Sequence, residues 1–146
     1  MKSGLKGNLL VAQGGGPTAV INASVFGIVQ EALTALAADV RVLGARGGIA
    51  GFFSEDLIDL RAPSQEKWGA IRTAPGAALG SCRRKLDESD RQHAVELCRK
   101  HDIRYFFYIG GNDSMDTASK ISKTAEAAGH EMVAVGIPKT IDNDLP

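Results

Sequence analysis

The chain has 146 residues, of which 44% are apolar and 23% charged, as is ordinary for one globular domain with a buried core. Its 17 basic residues balance 17 acidic ones, which argues against a nonspecific nucleic-acid binder, since such a protein needs a basic excess. Two cysteines are too few for a disulfide framework, and no stretch resembles a signal peptide or a membrane span. We therefore expect a cytoplasmic protein whose partners include neither nucleic acid nor membrane.

Strands and helices are predicted to alternate along the chain. Short apolar runs bounded by glycine or proline predict strands at residues 9–12, 40–43, 57–60, 103–109 and 131–137. Apolar residues at helical spacing predict helices at residues 17–37, 64–71, 88–101 and 115–128. Four glycines among residues 44–51 indicate a loop, and residues 112–114 are expected to cap the last helix.

This order of strand, glycine turn and helix predicts right-handed crossovers and a parallel sheet. The expected fold is a three-layer α/β/α, Rossmann-like domain with a mainly parallel sheet. Ligands of such sheets bind beyond the carboxyl ends of the strands, and three polar motifs follow predicted strands. Because the chain stops at Pro146, directly after the third motif, we expect it to be part of a longer protein.

The first motif, Gly14-Gly15-Gly16-Pro17-Thr18, lies between a strand and its helix. Glycines let backbone N–H groups approach an anion, and a helix N-terminus adds partial positive charge. The motif lacks the spacing of a dinucleotide fingerprint and the ending of a Walker loop. By itself it favours phosphate binding and a plain tight turn equally.

The second motif, Gly110-Gly111-Asn112-Asp113-Ser114, also follows a strand and opens a helix. Because Asn, Asp and Ser are preferred helix caps, a structural role is as well supported as a phosphate-binding turn. In the functional interpretation, the motif is a phosphate-binding turn whose acid, Asp113, can reach a metal. Mg²⁺ is the natural choice, since it favours one or two carboxylates plus substrate phosphates.

The third motif is the segment 138–144, Pro-Lys-Thr-Ile-Asp-Asn-Asp. Residues two apart in an extended segment point the same way, so Thr140, Asp142 and Asp144 share one side. One carboxylate can accept the proton of an attacking hydroxyl while Lys139 neutralises developing phosphate charge. The alternative is an Asp/Asn turn that bonds its own backbone.

A run of three cations, Arg83-Arg84-Lys85, follows a segment of small residues. Arg83 or Arg84 can clamp a phosphate bidentately, whereas most charge runs are simply solvated faces. Four patterns now occur in one chain: a glycine-rich first turn followed by Asn22, Gly-Ser-x-Arg at 80–83, Gly-Gly-x-x-Ser at 110–114 and Thr-Ile-Asp-Asn-Asp at 140–144. In order and approximate spacing, these patterns resemble the 6-phosphofructokinase family.

The resemblance covers essentially the whole chain, but only the N-terminal third to half of a family member. It implies that residues 1–146 form an N-terminal phosphoryl-donor-binding domain with a phosphofructokinase-like fold. The function it implies is transfer of a phosphoryl group to the 1-hydroxyl of fructose 6-phosphate in glycolysis, giving fructose 1,6-bisphosphate. The full-length protein is expected to be a homo-oligomer, and the 146-residue part alone is expected to be inactive.

On the donor side, the resemblance implies that Gly15, through its backbone, Arg83 and Ser114 bind the donor phosphates. The ATP-using branch typically has glycine at the positions of Asp113 and Lys139. A carboxylate at 113 would repel a nucleotide's α-phosphate, whereas Lys139 would bind the leaving phosphate of a smaller donor. Both residues match the pyrophosphate-dependent branch, so pyrophosphate is the expected donor, and we assign both to the catalytic set.

On the acceptor side, the resemblance implies that Asp142 is the base that takes the proton of the sugar 1-hydroxyl. Thr140 and Ile141 would contact the same sugar phosphate, and Asp144 would support that site and the metal. Asn112 stands where the family usually has a metal-binding aspartate. Asn112 and Asp113 are therefore both candidate Mg²⁺ ligands.

Two other functions stay open at this point. An ATP-dependent 6-phosphofructokinase would keep the reaction and change the donor. A noncatalytic sugar-phosphate-binding regulatory subunit would keep the fold without the chemistry, although the intact segment 140–144 disfavours it.

Overall fold

The structure, a computed structural model, describes residues 4–140, which form a five-stranded sheet with helices on both faces. The strands are β1 (Asn8–Gln13), β2 (Val42–Ala45), β3 (Leu57–Asp59), β4 (Ile103–Gly110) and β5 (Val133–Pro138). The helices are α1 (Ile21–Ala35), α2 (Gly48–Phe53), α3 (Gln65–Thr73), α4 (Glu88–Lys100) and α5 (Asn112–Ala127). The sheet order is β3-β2-β1-β4-β5, and every pairing is parallel except that of β3 with β2. The predicted mainly parallel α/β fold is confirmed.

The layers follow from the alternation of side chains along the central strand β1. Leu9 and Val11 pack on one face with α1 and α3, whereas Leu10 and Ala12 pack on the other face with α2, α4 and α5. Successive side chains of a strand point to opposite faces, so a strand covered on both sides is apolar throughout. Within residues 4–140, no helix is both long and apolar enough to cross a membrane.

The prediction of a loop over residues 44–51 was wrong. Gly44 ends up inside β2, and α2 begins at Gly48. A side chain at Gly48 would run into the backbone of Gln13 and Cys82, and one at Gly51 would overlap the Arg46 carbonyl. These glycines allow close backbone packing at a strand-to-helix turn, which a count of glycines cannot distinguish from a loop.

The two helices that begin at glycine motifs also start elsewhere than predicted. Helix α1 begins at Ile21 rather than at residue 17, so residues 14–20 connect β1 to it. Helix α5 already includes Asn112, its N-cap is Gly111, and no side chain caps it. The prediction that residues 112–114 are caps was therefore wrong. Helix capping thus does not explain why Asn, Asp and Ser occur at these positions.

Candidate active site

The described parts of the three motifs, residues 14–18, 110–114 and 138–140, meet at the carboxyl edge of the sheet, because β1, β4 and β5 are adjacent and parallel there. Together with the segment that follows residue 80 they enclose a cavity of ≈ 490 Å³. Its lining is Gly15, Gly16, Cys82, Arg83, Arg84, Lys85, Tyr108, Gly110, Gly111, Asn112, Asp113, Ser114, Pro138, Lys139 and Thr140.

Seven of the predicted site residues thus lie around one cavity, although their roles stay predictions. They are Gly15, Arg83, Asn112, Asp113, Ser114, Lys139 and Thr140. The other three, Ile141, Asp142 and Asp144, lie outside the described residues. Charge is distributed unevenly: the described lining residues include four cations, Arg83, Arg84, Lys85 and Lys139, against the single carboxylate of Asp113. Such a cavity attracts polyanions.

The first glycine turn is bound to the segment that carries Arg83. Gly14 forms an isolated parallel bridge with Cys82, and the Gly15 N–H donates to the Cys82 carbonyl at 3.2 Å. The Ser81 hydroxyl donates to the Gly15 carbonyl at 2.7 Å. Gly15 has φ +71°, a left-handed conformation that favours glycine. Its N–H is therefore used inside the protein here, and donor binding through the Gly15 backbone stays a prediction.

A buried amide pair fixes the preceding segment, residues 74–79, against α1. The Gln13 side chain donates to the side-chain oxygen Oδ1 of Asn22 at 3.2 Å and accepts from the Leu79 N–H at 2.9 Å. Asn22 donates to the Ala74 carbonyl at 3.0 Å and accepts from the Ala78 N–H at 2.8 Å. Asn22 is noticeable in the sequence only through the resemblance, and Gln13 was not predicted, although an amide at the end of a buried strand is a signal for it.

We expect Asn22→Ala to lower the free energy of unfolding by about 1–3 kcal/mol, because it leaves the Ala78 N–H and the Ala74 carbonyl without their partner and removes one of the two acceptors of the Gln13 amide. Chemical denaturation of the full-length protein measures this change. Gln92→Ala, which removes an exposed amide on α4, is the control and should change stability by about 0.5 kcal/mol or less. Equal stabilities of the two variants would contradict the structural role of Asn22.

The hydroxyl of Ser114, a buried residue, lies between Gly14 of the first glycine turn and Gly110 of the second. A Cβ atom on Gly14 would lie 2.6 Å from Ser114 Oγ and 2.9 Å from the Tyr108 hydroxyl, and one on Gly110 would overlap Ser114. Burial raises the pKa of Tyr108 to about 12, aided by nearby Cys82 and opposed by hydrogen bonding to Ser114. The phenol therefore stays neutral at physiological pH. Tyr108 was not predicted as a residue of the site, because in the sequence it is one of several large side chains in the apolar run of β4.

Asn112 and Asp113 are exposed in the first turn of α5, at the wall of the cavity. Within residues 4–140, no group of three or more His, Cys, Asp or Glu side chains is placed to hold a metal ion. Mg²⁺ commonly takes one or two carboxylates together with substrate phosphates. By the chemistry of their side chains, Asp113 and Asn112 offer one carboxylate and one amide oxygen to an Mg²⁺ ion shared with a phosphorylated substrate, and their role as ligands stays a prediction.

The two arginines of the cation run differ in their contacts. Arg84 pairs with Asp90 at 2.6 Å, and its guanidinium lies 4.7 Å from the centre of the Phe53 ring. Arg83 is exposed and extends toward the first turn, 3.4 Å from the position of a Cβ on Gly16. Among the residues that the structure describes, Arg83 forms no salt bridge, which favours it over Arg84 as the phosphate ligand.

Lys139 connects the third motif to both glycine turns. Its backbone N–H donates to the Gly110 carbonyl at 2.9 Å, and its ammonium donates to the Gly16 carbonyl. Only 7% of the residue is exposed. Since lysine is rarely buried without partners, the Gly16 carbonyl helps to hold the ammonium in this position.

Fold and cavity together are typical of α/β domains that bind phosphorylated ligands at the carboxyl edge of a parallel sheet. The sequence profile of the family described as PFK, Phosphofructokinase, matches residues 8–146. The chain belongs to the phosphofructokinase family.

Its relatives include several that are named for pyrophosphate. A pyrophosphate–fructose 6-phosphate 1-phosphotransferase of Xanthomonas campestris pv. campestris is 50% identical over 144 residues, which cover 95% of this chain and 34% of the relative. The crystal structure of a pyrophosphate-dependent phosphofructokinase from Marinobacter aquaeolei matches with TM-score 0.89 and 45% identity, covering 96% of this chain and 35% of that one. One from Nitrosospira multiformis matches with TM-score 0.89 and 43% identity, covering 95% and 35%. The chain thus spans about a third of the length of these relatives.

Proposed function

We propose that the full-length protein transfers a phosphoryl group from pyrophosphate to the 1-hydroxyl of fructose 6-phosphate, giving fructose 1,6-bisphosphate in an Mg²⁺-dependent step of glycolysis. The observation that carries the proposal is that Lys139 and Asp113 line one cavity with both glycine turns. The relatives named for pyrophosphate support it, at 50% identity for the one from Xanthomonas.

The charges of the described residues support a compact donor. Lys139 and Arg83 offer cations to the phosphates of a small polyanion, and Asp113 adds a carboxylate at the N-terminal turn of α5. This carboxylate would repel the further phosphate that links a nucleotide's γ- and β-phosphates to its ribose. Pyrophosphate has no such extension, so it gains the lysine contact without the repulsion.

The chemistry expected of this site is mostly positioning and charge neutralisation. Asp142 accepts the proton of the 1-hydroxyl while that oxygen forms its bond to phosphorus, and the bond to the leaving phosphate breaks. Lys139 neutralises the charge that develops on the departing orthophosphate, and Thr140 and Ile141 contact the acceptor beside Asp144. Mg²⁺ would neutralise donor phosphate charge when bound, with Asp113 and Asn112 as its protein ligands.

The acceptor pocket, the cellular location and the oligomeric state are properties of the full-length protein. Much of the acceptor pocket must come from other parts of the full-length protein, so residues 1–146 alone should be inactive. A cytoplasmic location and a homo-oligomeric state of the full-length protein likewise stay predictions.

Steady-state kinetics of the full-length protein test the donor. We expect kcat/KM for pyrophosphate to exceed that for ATP by about 100-fold, because the lysine contact and the carboxylate repulsion each change affinity by about tenfold. Equal or faster turnover with ATP would reject pyrophosphate as the donor. Calorimetric binding of fructose 6-phosphate without turnover on either donor would instead support a noncatalytic regulatory subunit.

A further inference from the structure

The ammonium of Lys139 lies beside Gly15 and Gly16 of the first glycine turn, although Lys139 belongs to the third motif, far along the chain. Its Nζ donates to the Gly16 carbonyl, while its backbone N–H is bound to the Gly110 carbonyl at 2.9 Å. The side chain thus crosses from the end of β5 to the end of β1 across the wall of the cavity.

Gly15 leaves just enough room for this ammonium. A Cβ atom on Gly15 would lie 3.1 Å from Lys139 Nζ, so the lysine would have to shift by a few tenths of an ångström. Gly15 itself is held on both sides, since its N–H donates to the Cys82 carbonyl and its carbonyl accepts from the Ser81 hydroxyl. These two bonds oppose a shift of the turn, so we expect a side chain added at Gly15 to displace mainly the flexible end of the lysine.

We propose that the first glycine turn is a seat for the Lys139 ammonium, with Gly16 and Gly15 acting as positioning residues for donor binding. The Gly16 carbonyl fixes the direction of the ammonium, and the missing side chain of Gly15 makes room for it. Lysine is a point charge on a flexible four-carbon stem, and fixing it in advance reduces the rotamer entropy lost when the donor binds. The inference rests on the proposed function, in which Lys139 contacts pyrophosphate.

The decisive variant is Gly15→Ala in the full-length protein. We expect it to raise KM for pyrophosphate about tenfold, the effect of losing part of one charge-assisted contact, with KM for fructose 6-phosphate unchanged. Gly129→Ala is the matched control, because Gly129 has φ +69° against +71° for Gly15 and no atom near its Cβ position. The two variants place alanine at nearly the same positive φ, and only Gly15→Ala is expected to displace a lysine.

A double variant shows whether the effect passes through the lysine. In a Lys139→Met background, Gly15→Ala should change KM for pyrophosphate less than twofold, because no ammonium is left to displace. Multiplicative effects of the two substitutions, or equal KM values for Gly15→Ala and Gly129→Ala, would overturn the proposal.

A third measurement is independent of turnover. Acetic anhydride labelling with peptide mass spectrometry, without substrate, should find Lys139 protected in the wild type and in Gly129→Ala, but more reactive in Gly15→Ala. Unchanged labelling in Gly15→Ala would overturn the seat. If the three proteins show the expected labelling but the wild type does not turn over pyrophosphate, the seat for the ammonium holds and the proposed function fails.

Discussion

Replacing the expected base by Asp142→Ser should lower kcat of the full-length protein by about 10²–10⁴-fold, the usual contribution of general base catalysis. The 1-hydroxyl must lose its proton as it attacks phosphorus, and serine cannot accept that proton at neutral pH. KM for pyrophosphate should change little, since the resemblance places Asp142 on the acceptor side. Steady-state kinetics with pyrophosphate and fructose 6-phosphate measure both quantities.

Asp39→Ser provides a matched control, because Asp39 is an exposed aspartate outside the cavity lining. It should keep the kcat of the wild type, and both variants should keep the wild-type circular dichroism spectrum. A near-normal kcat for Asp142→Ser would remove Asp142 as the base. Loss of the folded spectrum would mean that the aspartate serves the structure of its segment instead.

Removing the two residues that favour pyrophosphate, Asp113 and Lys139, should have a second large effect. Asp113→Gly combined with Lys139→Gly should lower kcat/KM for pyrophosphate by about 10²–10³-fold, as is typical for loss of a charge that stabilises the transition state. The same change removes the repulsion that Asp113 exerts on a nucleotide. The ratio of ATP to pyrophosphate turnover should therefore rise, and kinetics with each donor measure it.

Glycine also weakens helices, so this experiment needs its own control. Asp116→Gly with Lys123→Gly replaces an exposed aspartate and an exposed lysine of α5 outside the cavity lining. Each glycine costs up to about 1 kcal/mol of helix stability, but the donor preference should stay that of the wild type. Unaffected use of pyrophosphate by the Asp113 and Lys139 double variant would show that the donor argument is wrong.

Local patterns were sufficient to predict the layers of the fold and the edge where the site lies. The continuous apolar run of β4 predicted a strand covered on both faces, and helical spacing predicted α4 and α5. Strand followed by glycine turn and helix predicted the parallel sheet, and parallel strands bring their carboxyl ends to one edge. This is why Gly15, Asp113 and Lys139, separated along the chain, could be expected together.

Contacts between distant segments decided what local patterns could not. Glycine indicates both loops and close backbone packing, and only the approach of Gln13 and Cys82 shows that Gly48 begins a helix. An Asn-Asp-Ser run fits a cap as well as a first turn, and here Gly111 is the cap.

The sequence by itself determined that Lys139 follows β5. Through the resemblance that Lys139 and Asp113 carry, it also indicated pyrophosphate as the donor. Tertiary structure alone decided that the Lys139 ammonium lies in the first glycine turn, against the Gly16 carbonyl. The physical reason is that a side chain's partner depends on which strand ends are neighbours. That order, with β4 between β1 and β5, is set by packing across the whole sheet.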